Sequence, residues 1–187
     1  VKGAGAMAYH HGDLRRTILA AAVDAIAESG PDGWSLRELA RRAGVSHAAP
    51  AHHFGDRTGL LTALAAEGYD LLADTLGAAD PGFLEAGLAY VRFATEHPAH
   101  FTVMFQPTLY RADDEAVAEA RERAGRVLRE GARAAAPGRA DADTTALAGW
   151  SIAHGFASLW LAGALPEHTR PDAVAAARPV LRRLLEH

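Results

Sequence analysis

The stretch that most restricts how this chain can fold is WSLRELARRAGVSHAAPAHHFGDR, from Trp34 to Arg57. It holds two short helical patterns around a tight turn. Ser35 stands where a helix N-cap belongs. Glu38, three residues on, completes the spacing of a capping box, in which each side chain satisfies the other's free backbone N–H. Trp34 and Leu39 are at staple spacing across that cap. Leu36, Leu39, Ala40 and Ala43 share one helical face, which leaves Arg37, Arg41 and Arg42 outside. Gly44 ends the helix where a left-handed backbone is required, Val45 plugs the turn, and Ser46 is the expected cap of a second helix running to His53. Two helices joined in this way form a helix-turn-helix, which in DNA-binding proteins sets the second helix in the major groove.

Helical periodicity continues on both sides. Before the motif, Asp13 is placed to cap a helix with Leu14, Ile18, Ala22 and Ile26 on one face, ended by Gly30-Pro31. After it, Asp56 is placed to cap a longer helix that runs to about Leu76. Asp80-Pro81 reads as another helix start, Pro98 as its end, and HFTVMF as a short aromatic segment that stops near Pro107. Further helices are expected from Asp113 to Ala135, from Asp141 through a stretch with no Asp, Glu, Lys or Arg between Thr144 and Pro166, and from Pro171, with a kink at Pro179. The uncharged stretch contains His154, two serines and three glycines, which points to a helix buried between layers rather than to a membrane span. No alternating strand pattern occurs. The expected fold is all-α with about nine helices: residues 1–8 a disordered arm or expression remnant, 9–55 a three-helix helix-turn-helix domain, and 56–187 a helical ligand-binding and dimerisation domain.

The charge distribution fits such a division. The net charge is -4, yet residues 1–60 carry seven Lys or Arg against six Asp or Glu, and five of the ten histidines fall there. A locally cationic head on an acidic body gives mild support to a DNA partner and argues against indiscriminate coating of nucleic acid. The absence of cysteine excludes disulfides and thiolate metal sites. VKGAGAM lacks an export pattern, so the expected location is cytoplasmic.

In the second helix of the motif, His47, Ala48, Pro50 and Ala51 are placed to meet base edges, small side chains touching thymine methyls and histidine bonding to a purine. Ser35, Ser46, Arg37 and Arg57 suit phosphates. The Tyr9-His10-His11 arm is either disordered or lies against DNA beside that helix. Metal is not expected. His10-His11 and His52-His53 are adjacent pairs whose side chains diverge on a helix, and His97 and His100 straddle Pro98 with no clear third ligand. Candidate pocket residues are Tyr90, Phe93, Phe101, Met104, Phe105, Trp150, His154 and Trp160. His154, an imidazole in an uncharged helix, needs either a ligand, a water or a core partner. Phosphate-cradling, zinc-protease, nucleophile-elbow and dinucleotide motifs are all lacking. An enzyme working through His154 would need carboxylates that its helix does not supply, so neither an enzyme nor a resident cofactor is expected.

SLRELARRAGVSHAAPAHHFGDRTGLL, within residues 9–76, resembles the DNA-binding domain of the tetracycline-repressor-like (TetR/AcrR) transcriptional regulators. YHHGDLRRTIL and WSIAHGFASLW, with Trp150, His154 and Gly155, resemble the subgroup named for a Trp-His-Gly signature in its C-terminal domain. The resemblance implies a homodimer that binds a palindromic double-stranded operator through two heads, more often as a repressor. It also implies a small-molecule effector in an all-helical body, with no membrane association. The family often carries a phosphate-contacting tyrosine where this chain has Ala51, and a lysine where it has Arg57. That departure passes backbone contact to His52 and His53 or weakens DNA binding. The alternative is an all-helical small-molecule-binding protein or enzyme without specific DNA binding.

Overall fold

The computed structural model describes residues 4–135, 142–167 and 172–185. Within them the chain is all-α, with nine helices and no strand. The head contains α1 (Ala4–Ser29), α2 (Leu36–Arg42) and α3 (Ala49–Phe54). Helix α1 begins at Ala4, so its backbone runs through the segment expected as an arm, and Asp13 lies inside the helix instead of capping it. The side chains of Tyr9, His10, His11 and Asp13 lie outside the described residues. Gly30 ends α1 as its φ of 77° allows, its N–H bonded to the Ile26 carbonyl at 2.9 Å. Ile18, Ile26, Trp34, Leu39, Phe54, Leu60 and Leu64 belong to one continuous core, which welds α1, α2 and α3 to the start of the next helix.

That helix, α4 (Arg57–Gly77), crosses from head to body. Its cap is the expected one, Asp56 Oδ1 accepting from the Gly59 N–H at 2.6 Å. The body then builds from α5 (Phe83–Glu96), α6 (Pro98–Met104), α7 (Glu115–Ala135), α8 (Ala142–Leu161) and α9 (Ala173–Leu185). Helix α5 starts after Gly82, not at Pro81, because Gly82 takes a φ of 140° that lets the chain turn before the first helical residue. The short aromatic segment falls in helix α6. Pro98 ends one helix and serves at the first turn of the next, where its missing N–H has no intrahelical partner to lose. Burial of Ala99, Phe101, Val103 and Met104 holds it in place. It lies so close to α4 that a Cβ on Gly68 would stand 2.5 Å from Met104 Sδ.

Helix α4 packs most extensively against α7, and α5 against α8 and α9. Asp114 caps α7 and Asp172 caps α9 through side-chain bonds to the N–H groups of Ala116 and Val174. Pro179 lies within α9. The expected starts at Asp141 and Pro171 lie outside the described residues. After Asp143, helix α8 carries no charged side chain, for two different reasons. Ala146, Ala153, Phe156 and Ala157 are buried, while Leu147, Leu159 and Leu161 are exposed large hydrophobics. Among the described residues no helix is long and apolar enough to cross a membrane.

Candidate DNA-binding head and ligand cavity

The turn of the motif forms as its residues require. Ser35 Oγ accepts the Glu38 N–H at 3.2 Å. Only this half of the expected capping box is made, because the Glu38 carboxylate is taken by Arg42 at 2.7–2.9 Å. Arg42 also bonds Glu28, so α1 and α2 are clamped and Arg42 is neutralised. Gly44 adopts a φ of 66°. Its N–H bonds the Arg41 carbonyl, and the Val45 N–H bonds the Ala40 carbonyl at 3.0 Å, the paired closure of a Schellman motif. Trp34 and Leu39 are both buried at the staple.

Helix α3 is shorter than expected. It begins at Ala49 after a turn at His47 and Ala48, and Ser46 contributes its carbonyl to the Ala49 N–H instead of a side-chain cap. The helix sorts its residues by face. His47, Ala48, Ala51 and His52 are exposed at one-turn spacing, whereas Ala49, Pro50 and Phe54 are buried and His53 is half-buried. Pro50, expected at a base edge, therefore packs into the head, and His53 turns partly inward beside Phe54. Proline at the first turn of a six-residue helix is most useful as packing, since it pre-sets φ there. Ser35, Arg37 and Ser46 are exposed.

Arg57, expected at a phosphate, is employed within the protein. Its guanidinium donates to the Pro31 carbonyl and to Asp32 Oδ1 at 2.9 Å, and lies over the Trp34 ring at 4.9 Å. It ties the α1–α2 loop to the start of α4. Replacing Arg57 by alanine is therefore expected to lower unfolding stability by about 1–2 kcal/mol through lost bonds and cation–π stacking. An unchanged urea midpoint would overturn this role.

A second link joins head to body. Arg111, in the connection between α6 and α7, donates to both Asp56 oxygens at 3.0 and 2.8 Å, and its backbone N–H donates to Thr62 Oγ1 at 3.0 Å. Asp56 is thereby held charged. The Gly59 N–H first, and Arg111 after it, keep its carboxyl below the usual carboxylate range. The residue after Phe54 and Gly55 is thus fastened to a loop of the body.

That loop borders a cavity of about 840 Å³ between α4, α7 and α8. Four expected pocket residues line it: Tyr90, Met104, Phe105 and Trp150. The others do not. Phe93 is fully buried core, Phe101 stacks on His154 with ring centroids 5.1 Å apart, and Trp160 stacks on Phe156 and borders a separate shallow groove. His154 itself stands behind the wall. Trp150 Nε1–H donates to the Tyr90 oxygen at 3.1 Å, so the Tyr90 hydroxyl has its proton free for His154 Nδ1 at 2.9 Å. Burial holds both groups neutral, lowering the imidazole pKa and raising that of the phenol. In this geometry His154 is half-buried, has Tyr90 as its partner and does not line the cavity.

The cavity residues that periodicity missed are on α4, on α7 and in the connection before α7: Tyr69, Leu72, Leu76, Tyr110, Arg121 and Leu128. In sequence they are indistinguishable from a core stripe. The available signal is Ala124-Gly125 on α7, whose small size leaves volume beside Tyr69, Leu72 and Leu76 of α4. One turn before Met104 on α6, His100 Nε2 faces Glu67 Oε2 at 3.4 Å and the His97 and His100 rings are 5.8 Å apart. Among the described residues no three such side chains gather as a metal site.

Comparison with known proteins bears on both ends. Residues 18–64 match the bacterial regulatory proteins of the tetR family, and residues 83–184 match the tetracyclin repressor-like C-terminal domain. The second match does not carry the finer Trp-His-Gly assignment. No curated protein matches the chain. A solved protein of unknown function from Rhodococcus sp. RHA1 is 36% identical, with a TM-score of 0.71 over 94% of this chain and 96% of that one. A bacterial regulatory protein in the tetR family from Rhodococcus RHA1 is 23% identical, with a TM-score of 0.69 over 92% and 93%. AibR, solved with isovaleryl coenzyme A and operator DNA, shares the fold at 18% identity, with a TM-score of 0.63 over 92% and 98%. With a helix-turn-helix head at one end and a matching body over more than half its length, this chain belongs to the tetracycline-repressor-like family and is a ligand-responsive, DNA-binding transcriptional regulator.

Proposed function

We propose that the protein is a cytoplasmic repressor that binds a near-palindromic operator as a homodimer and leaves it when an effector fills the α4–α7–α8 cavity. It acts by binding and not by catalysis. Two heads occupy half-sites roughly 34–36 Å apart, one DNA turn. The exposed ridge of His47, Ala48, Ala51 and His52 enters the major groove, while Ser35, Ser46, Arg37 and the exposed Arg41 meet the backbone. The dimer forms through α8 and α9, two helices per subunit. Leu159 and Val180 are 49% and 43% exposed, and a Cβ on Gly155 would meet nothing within 4 Å, so a partner helix can approach closely.

The observation that carries the regulatory part is the Arg111 link. Pro107 and Tyr110 line the cavity, Arg111 follows at once, and its partner Asp56 stands two residues after the last residue of α3. A ligand that repositions this loop moves the head by as much as its affinity differs between the two arrangements. AibR, with both an acyl-CoA and an operator bound on the same fold, supports this division of labour.

The test is selection of bound duplexes from a random pool, followed by variants. Arg37→Ala is expected to weaken binding to all sequences and to reduce the salt slope by about 1. His47→Ala is expected to relax preference at one base pair, worth about 1–3 kcal/mol of discrimination. A pool that yields no near-palindrome at low salt would overturn the operator model.

A further inference from the structure

The cavity also states what kind of molecule it takes, on the reading that it is the effector site. Its inner polar groups are already committed. Tyr69 and Tyr110 hydroxyls both donate to the Met104 carbonyl, at 3.3 and 2.9 Å. Trp150 donates to Tyr90, and Tyr90 to His154. What remains facing inward is ring and alkyl surface, including Leu72, Phe105 and Leu128. An acceptor such as a carboxylate pushed into that end would lose its water without gaining a donor.

Charge in the lining is confined to α7 and the start of α8, where Arg121, Glu122, Arg129 and Asp143 balance in number but are unequally paired. Glu122 is ion-paired with Arg129, and Asp143 with Arg133 at 3.9 Å. Arg121 also lines the cavity, is exposed, and pairs with no acidic group among the described residues. Its charge reaches inward as far as Tyr69, whose ionisation it favours against the stronger opposing effect of burial. One guanidinium without an acidic partner among the described residues therefore borders an otherwise apolar chamber.

We propose that the effector is a monoanionic amphiphile, an aliphatic or aromatic carboxylate whose apolar body lies against Leu72, Phe105 and Leu128 and whose carboxylate is received by Arg121. The guanidinium fork matches a carboxylate with two parallel bonds, and a head group bonded there keeps its remaining lone pairs toward water. The volume of about 840 Å³ suits a ligand of drug or fatty-acid size.

Calorimetric titration of the full chain with decanoate, decanol and decyltrimethylammonium, each below its aggregation limit, tests this directly. Decanoate is expected to bind about 10-fold more tightly than decanol, about 1.4 kcal/mol, and the cationic chain more weakly than either. Arg121→Gln is expected to remove that advantage while leaving decanol within about twofold of its wild-type affinity. Because Arg121 is exposed and unpaired among the described residues, its loss leaves the fold intact. Decanol or the cationic chain binding as tightly as decanoate, or Arg121→Gln leaving decanoate unaffected, would overturn the carboxylate assignment while the cavity stands as a binding site. Failure of all three probes to bind would overturn the effector-site reading and this inference together.

Discussion

Gly59→Ala is expected to destabilise the protein by about 2–3 kcal/mol, whereas Gly77→Ala in the same helix is expected to be neutral or to stabilise it by up to about 1 kcal/mol. Both glycines lie in α4. The helical entropy gained by alanine is similar at the two sites, so the difference isolates packing. A Cβ on Gly59 would fall well inside contact with the Phe54 carbonyl oxygen and 2.9 Å from Arg111 Nη1, whereas one on Gly77 meets nothing within 4 Å. The Phe54 oxygen is backbone and cannot rotate away. The clash must push the end of α3 off α4, and it disturbs the Arg111 link at the same point. Urea unfolding of the two variants gives the stability difference. The folded Gly59→Ala protein is also expected to bind operator more weakly, because its recognition helix is displaced. Equal midpoints for the two variants would refute this account of the α3–α4 junction.

Leu159→Asp is expected to convert the proposed dimer to a monomer and to lower operator affinity by 10²-fold or more. In a two-headed complex the second head binds at an effective concentration set by its tether, in the millimolar range, and a monomer forfeits that gain. The aspartate also places a charge opposite its own copy across a two-fold interface, where its desolvation is uncompensated. Leu159 is 49% exposed in the single chain, so the subunit's own fold loses little. Light scattering at micromolar concentration and operator titration read the two effects, with circular dichroism as the control for folding. A wild-type chain that is already monomeric, or a variant that remains dimeric, would remove α8 from the interface.

The helix count, the helix-turn-helix and most caps are legible from sequence because each depends on a few neighbouring residues. Ser35 caps α2 through the N–H three positions on, Asp56 does the same for α4, and Gly44 takes the left-handed conformation that a side chain would resist. Proline is the local signal that says least about where the next helix begins. Pro81 does not open α5, since Gly82 supplies a sharper turn, and Pro98 opens α6 as well as closing α5. Periodicity names faces but not their neighbours. It put Trp150, which lines the cavity, among the pocket candidates and left open whether His154 meets a ligand or a core partner.

By itself, then, the order of residues determined an all-α chain with a cationic helix-turn-helix head, because helix capping, turn closure and apolar spacing act over four or five residues. Only the tertiary structure decided the employment of individual side chains. Arg57 is engaged by Pro31, Asp32 and Trp34, Pro50 is turned inward, and His154 is satisfied by Tyr90. The cavity likewise exists only where α4, α7 and α8 leave space between them. Those outcomes depend on residues separated by tens of positions in the chain, and contact at that range is set by packing rather than by local sequence.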